Sequence, residues 1–237
     1  MVSGKGNIVK QGENVVKGEK NIVEGGKNDV KGELNVVGGL KNAVTGDRNL
    51  VSGGSNKVDG RENNLEGSKN LVSGSENMVK GDVNKIKGDK NAVQGDQNTA
   101  LGNRNMISGS ENSVNGNENS LKGSTNTIEG NKNAAIGNKN VIKGSENVAE
   151  GNENAVNGNK NTLSGDKNSI LRGDNNQIKG NLNVLNGNNN GIIGNRNELS
   201  GDSNQLKGIE NKIKGNNNAL EGNLNKVSGD LNTACGN

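Results

Sequence analysis

The sequence predicts an all-β fold, a parallel β-solenoid of the two-sheet roll type, and two observations carry that expectation. First, the frame Gly-x-x-Asn-x-(Val/Ile/Leu)-x, as in Gly74-Ser75-Glu76-Asn77-Met78-Val79-Lys80, repeats along nearly the whole chain. Asn stands at every seventh position from Asn7 to Asn168 and again from Asn176 to Asn232, giving 33 register asparagines. Second, the residue two places after each is Val, Ile, Leu or, at 100, 135, 149 and 234, Ala. A fixed short period is the signature of stacked units that bury their faces on one another. It overrules a composition that alone reads as disordered, 27% hydrophobic with 39 Gly and no aromatic, Pro or His.

Each element of the heptad has a physical reading. The Asn and the hydrophobic are two residues apart, so in a strand they point to one face, while the residues between and after them point away and vary freely. The alternation is short and ends at Gly, which predicts a strand of about five residues followed by a tight turn. From Gly67 onward each register Gly is followed by Asp, Asn or Ser, except at Ile209. These residue types bond their own backbone in turns, and Gly supplies φ values closed to other residues. A helix is excluded, because Gly in every second turn costs too much.

Two heptads make one coil. The outward position between Asn and the hydrophobic reads, in alternate heptads, Ile8, Ile22, Val36, Leu50, Asn64, Met78, Ala92, Met106, seven of eight apolar. The intervening series, Val15, Asp29, Ala43, Lys57, Leu71, Lys85, Thr99, Ser113, has three of eight. Odd and even heptads therefore face different surroundings. This gives 14 residues per coil and about 17 coils across residues 1–237, a single solenoid domain with a one-residue insertion near 171–172.

Stacking places like residues about 4.8 Å apart along the axis. Each Asn amide then donates to one neighbouring coil and accepts from the other, a ladder represented by Asn77, Asn91, Asn105 and Asn112. Beside it runs the hydrophobic column, including Val79, Val93, Ile107 and Val114, the only core. Aromatic rings do not fit between sheets so close. The role of these asparagines is structural and needs no ligand.

With the frame established, Asn77-Met78-Val79-Lys80-Gly81 and Asn112-Ser113-Val114-Asn115-Gly116 resemble the repeats of the ryegrass ice-recrystallisation-inhibition (antifreeze) family. The resemblance covers essentially the whole chain. It implies a left-handed β-roll with internal Asn ladders, and ice as ligand. A weaker resemblance, through Asn98-Thr99-Ala100-Leu101-Gly102 and Asn133-Ala134-Ala135-Ile136-Gly137, is to the head repeats of trimeric autotransporter adhesins, which are also left-handed β-rolls. The chain departs from the ryegrass pattern at outward Lys10, Lys17, Glu24, Lys31, Lys207, Lys214 and Glu221. Long hydrated charges break up a flat, water-ordering surface.

The ends and the insertion carry further expectations. Met1 and Val2 fit the second half of a heptad, while Gly236 and Asn237 begin one. Joined end to end, the chain is 34 heptads less two residues plus the insertion, or 17 whole coils. Open strand edges are templates for pairing, which predicts head-to-tail stacking of rods about 80 Å long into a filament, with Met1, Val2, Ala234 and Cys235 at the junction. Caps removed from a larger protein would leave the same ends. The outward Ile8, Ile22, Val36, Leu50, Met78 and Met106 form a candidate lateral interface between rolls. Arg172-Gly173-Asp174 at the insertion spells an integrin-type adhesive tripeptide on a loop, although Gly-Asp recurs at many turns.

Chemistry is otherwise missing. Without His there is no general base poised near neutrality, and the irregular Asp after Gly does not match a calcium-binding repeat. The sequence therefore predicts no enzyme, no metal and no cofactor. The +3 balance of 29 basic and 26 acidic residues predicts neither nucleic acid nor anionic membrane as partner, and no apolar run spans a bilayer. No signal peptide precedes the repeats, and the compartment stays open, since an extracellular or cell-surface fragment of an exported protein reads the same. The function these readings favour is a structural, self-stacking rod with itself as partner. The alternatives are an ice-binding protein, and an adhesin stalk or head.

Overall fold

The register asparagine and the hydrophobic two residues later point inward on every repeat, and the whole architecture follows from that pair. In the computed structural model, which describes residues 1–236, thirty-four strands alternate between two parallel sheets, giving about 17 turns of a β-solenoid without helix. Asn237, which the sequence reading included in the domain and in the end-joining count, lies outside the described residues.

The chain forms two compact units. In Met1–Glu118, sheet A runs from Val2–Ser3 through Ser113–Asn115 and sheet B from Ile8–Lys10 through Met106–Ser108. In Asn119–Asn237, the corresponding sheets run from Thr127–Glu129 through Lys226–Ser228 and from Ser120–Lys122 through Thr233–Cys235. Within each unit every strand pairs in parallel with the strand one turn on, so that Met78 faces Ala92 and Val79 faces Val93. Most strands are three residues long, not five, because the Asn and the Gly at either end already belong to the corners.

The core is one hydrophobic residue per strand, fully buried from Val16 to Leu220, flanked by equally buried asparagines from Asn14 to Asn218. The ladder is denser than a single donated bond per turn. Asn91 Nδ2 donates to Asn77 Oδ1 at 3.0 Å and to the Gly102 carbonyl at 2.9 Å, while the Asn91 backbone N–H also donates to Asn77 Oδ1 at 3.0 Å. Asn91 Oδ1 in turn accepts from the N–H and Nδ2 of Asn105 at 3.0 and 3.1 Å. The Asn91 amide thus donates in both directions along the axis, as most ladder amides do, while those of Asn28 and Asn154 donate only to the following turn. Among the described residues the one buried side-chain polar atom left without a partner is Asp29 Oδ1, which belongs to no ladder.

The corners differ from the expectation in one respect. The Asp, Asn and Ser after each Gly bond the backbone of the adjacent turn, not their own. Asp82 Oδ1 accepts from the Ser68 N–H at 2.6 Å, and the Asp82 N–H donates to Asp96 Oδ1 at 2.8 Å. The reason is spacing: stacked turns bring the next backbone N–H within reach, and the N–H needs an acceptor. The result is a second, outer ladder. Ile209 cannot donate a side chain to it, yet its N–H still reaches Asn223 Oδ1 at 2.9 Å.

The glycine requirement is both conformational and steric. Gly74 has φ 128°, and a Cβ there would overlap the Gly88 carbonyl oxygen one turn on. One register position breaks the rule. Gln11 stands where Gly is expected, and the turn there takes two successive left-handed residues, Gln11 at φ 63° and Gly12 at φ 61°. The third corner position is also left-handed at the other corners, even for β-branched Val83 at φ 61° and Thr125 at φ 60°, the exception being Glu13 in the Gln11 corner. L-residues adopt this conformation at a cost of about 1–2 kcal/mol. The insertion is absorbed inside a strand: Ile170 pairs with Leu185 and Arg172 with Asn186, leaving exposed Leu171 as the extra residue.

Three stability outcomes follow. Asn91→Ala leaves several buried groups unpaired and should cost about 3–5 kcal/mol in denaturant unfolding. Gly74→Ala should cost about 4 kcal/mol or prevent folding, by the clash and the φ value together. Val83→Asn should instead raise stability by about 1 kcal/mol, because Asn tolerates the left-handed region.

Candidate functional surface

Among the described residues the core is one aliphatic side chain and one asparagine per strand, and the side chains that vary lie on the outward columns. Within each strand two positions face out, the one between Asn and the hydrophobic (here the inner-column position) and the one before Gly (the rim position). Stacking turns each into a column with the strand repeat, about 4.8 Å.

The columns differ sharply in charge. In Asn119–Asn237 the inner column of sheet B reads Ser120, Ala134, Val148, Thr162, Gln177, Gly191, Gln205, Ala219, Thr233, nine successive turns without a charge. Pairing keeps them in line, as in Ser120 with Ala134, Ala134 with Val148, and Val148 with Thr162. The rim column beside it contains Lys122, Glu150, Lys179, Lys207 and Glu221. In sheet A of the same unit, Thr127, Val141, Ala155, Ser169 and Val184 are uncharged, but Glu198, Lys212 and Lys226 follow. The sequence reading stopped at Met106 and Ser113 and so missed the sheet B strip. Continuing the alternate-heptad comparison to Thr233 would have found it.

The charges are arranged along the axis. Ten of the eleven ion pairs among the described residues join residues 14 apart, among them Arg48–Glu62 and Arg196–Glu210, both at 2.9 Å. Lys207 donates to Glu221 at 2.7 Å, and this hydrogen bond, with the attraction of the opposite charge, holds the Glu221 carboxyl below its ordinary range and the Lys207 ammonium above its own. All are exposed, and exposed pairs contribute little. Most lie at the third corner position, as Arg48–Glu62 does, and three lie on the rims, Lys80–Glu66, Lys143–Glu129 and Lys207–Glu221.

The residues singled out from sequence fall as follows. Asn77, Asn91 and Asn105 form one inner ladder and Asn112 belongs to the other, bonded to Asn98. Val79, Val93 and Ile107 stack in one sheet and Val114 pairs with Ala100 in the other, all buried. Ile8, Ile22, Val36, Leu50, Met78 and Met106 are exposed in one column of sheet B, interrupted by Asn64 and Ala92. Met1, Val2 and Cys235 are exposed and Ala234 is half-buried. The Met1 ammonium donates to the Asn14 carbonyl at 2.6 Å.

The tripeptide runs from a strand end into the corner that follows it. Arg172 ends the strand Ser169–Arg172, Gly173 is buried, and Asp174 occupies the outer ladder. Asp174 Oδ1 accepts from the Asn159 N–H at 2.6 Å and Nδ2 at 3.2 Å. The strand bulge takes up the extra residue, so the corner keeps its usual form.

Parallel two-sheet winding, inner asparagine ladders and glycine corners define a β-roll protein. The family model described as a grass antifreeze β-roll matches residues 1–81, 79–172 and 143–237. The chain belongs to the grass antifreeze β-roll family, which is not a class of enzymes. Among curated proteins, no relative matches the chain.

Since the ion pairs are exposed, Glu62→Gln and Glu210→Gln should each shift unfolding free energy by less than about 1 kcal/mol. Near-unchanged midpoints in 1 M salt would agree with this.

Proposed function

We propose that this protein binds ice and restrains recrystallisation through the uncharged sheet B strip from Ser120 to Thr233. The observation that carries the reading is that strip, set on a chain of the antifreeze β-roll family. An ice-contacting surface needs regular spacing, rigidity and no strongly hydrated groups. The strand repeat supplies the first, and the two ladders supply the second by tying every turn to its neighbours. The strip supplies the third in that it carries no charge, and Ser120, Ala134, Val148 and Thr162 at its start are short or stiff at χ1. Water above these four turns meets small methyl and hydroxyl groups at a fixed pitch, with the Gln177 and Gln205 carboxamides further along.

The charged rim beside the strip argues for a narrow contact, one column wide over much of its length. Near its end, axial pairing of Lys207 with Glu221 directs those two side chains along the roll. The family favours this reading over the end-to-end filament drawn from the open strand edges.

The test places charge in the strip without touching the ladder. Ala134→Lys combined with Thr162→Lys should abolish recrystallisation inhibition at micromolar protein while leaving the unfolding midpoint within a few degrees. Ala155→Lys combined with Ser169→Lys, in sheet A, should retain most of the activity. Full activity in the sheet B variant, or none in the unmodified protein, overturns the proposal.

A further inference from the structure

The apolar column of sheet B in Met1–Glu118 is part of a broader patch that the sequence reading did not assemble. Ile8 pairs with Ile22, Ile22 with Val36 and Val36 with Leu50, stacking four exposed branched side chains. Across this ridge, a single turn adds Leu34 on one corner and Leu40 on the other, 45% and 59% exposed. Beside the ridge the rim column changes character, from Lys10 and Glu24 to Gly38 and Ser52. On the far corner the outer ladder gives way to Gly12, Gly26, Leu40 and Gly54, and Leu40 lies over buried Gly26. An apolar ridge thus runs alongside a shallow trough floored by Gly38 and Ser52.

We infer that this face pairs with a second copy of the chain. The half of the ridge formed by Val36 and Leu50 lies next to a trough of its own length, Gly38 and Ser52, and that half is self-complementary. A half-turn about an axis parallel to the stacking direction sets Val36 and Leu50 of each copy into the Gly38–Ser52 trough of the other. That is the isologous contact of a two-fold dimer. The area supports it. Six side chains each leaving on the order of 80 Å² in water amount to about 500 Å² per copy, a patch of the size that marks an interface. Complete burial of all six on both copies would remove at most about 1,000 Å², the lower bound for specific association. Met78 and Met106 share the column but stand beyond Asn64, and Met78 has Lys80 on its rim, so they lie outside the contact. The inference does not depend on ice binding.

Sedimentation equilibrium of the full chain over micromolar to millimolar concentration tests it. The protein should approach twice its 24.5 kDa mass. Val36→Lys with Leu50→Lys should weaken association at least about a hundredfold. Gly38→Gln fills the trough without adding charge, and its backbone lies outside the left-handed region, so the variant folds; it should weaken association similarly. Circular dichroism of each variant verifies the fold. A monomer at every concentration in the unmodified protein overturns the inference, and so does a dimer that persists in either variant.

Discussion

Every feature of this molecule depends on one carboxamide repeated in stacked register. The side-chain oxygen of most inner asparagines accepts two bonds from the next asparagine, and the nitrogen donates toward both neighbouring turns, as at Asn91. A polar group buried this deeply is costly unless satisfied. Here it is satisfied only by identical groups one turn away. The period is therefore locked, because a slip of one residue would expose the ladder and bury the charged columns. The ladder also explains how a chain with so few hydrophobic residues folds. One aliphatic side chain per strand is enough when the remaining interior is a saturated hydrogen-bond network.

The same economy determines where function can lie. With a core of one aliphatic side chain and one asparagine per strand, the outward columns are the available chemistry. The turns are tied by an inner and an outer ladder, which keep outward residues at fixed pitch with little freedom. Some rim charges find partners one turn away, as Lys207 does in Glu221, and the inner column of sheet B is uncharged in each unit. In Met1–Glu118 that column carries mostly large aliphatic groups. In Asn119–Asn237 it carries Ser, Ala, Val, Thr, Gln and Gly. One repeat frame thus presents two columns that differ in side-chain size and polarity.

Much of this was legible in the sequence, because the inner positions are invariant and their alternation has the period of a strand. The Asn and hydrophobic columns, the two-heptad turn and the place of the insertion all follow from spacing. What spacing could not show is what happens between turns. Asp82 looks like a residue that caps its own turn, and only stacking reveals that it serves Ser68. Strand length was overestimated because Asn and Gly read as part of the alternation. Gln11 was overlooked since Gly12, one place later, kept the composition of the corner while changing its conformation. The candidate surface was half visible. The apolar series through Met106 stood out by hydrophobicity, whereas the strip from Ser120 to Thr233 is distinguished by absence of charge, a weaker signal in a variable column. Leu34 and Leu40 join the patch only through three-dimensional adjacency.

The central claim, that an internal asparagine ladder holds the surface rigid, is tested most directly by hydrogen exchange of side-chain amides followed by NMR. Ladder groups such as those of Asn91, Asn147 and Asn190 should exchange only through global unfolding, with protection matching the unfolding free energy. Outer asparagines with free amide protons, such as Asn195, should exchange quickly. Fast exchange of the inner carboxamides would contradict the account, since the turns would then be held by their backbone ladders alone and the surface would lack its rigid support.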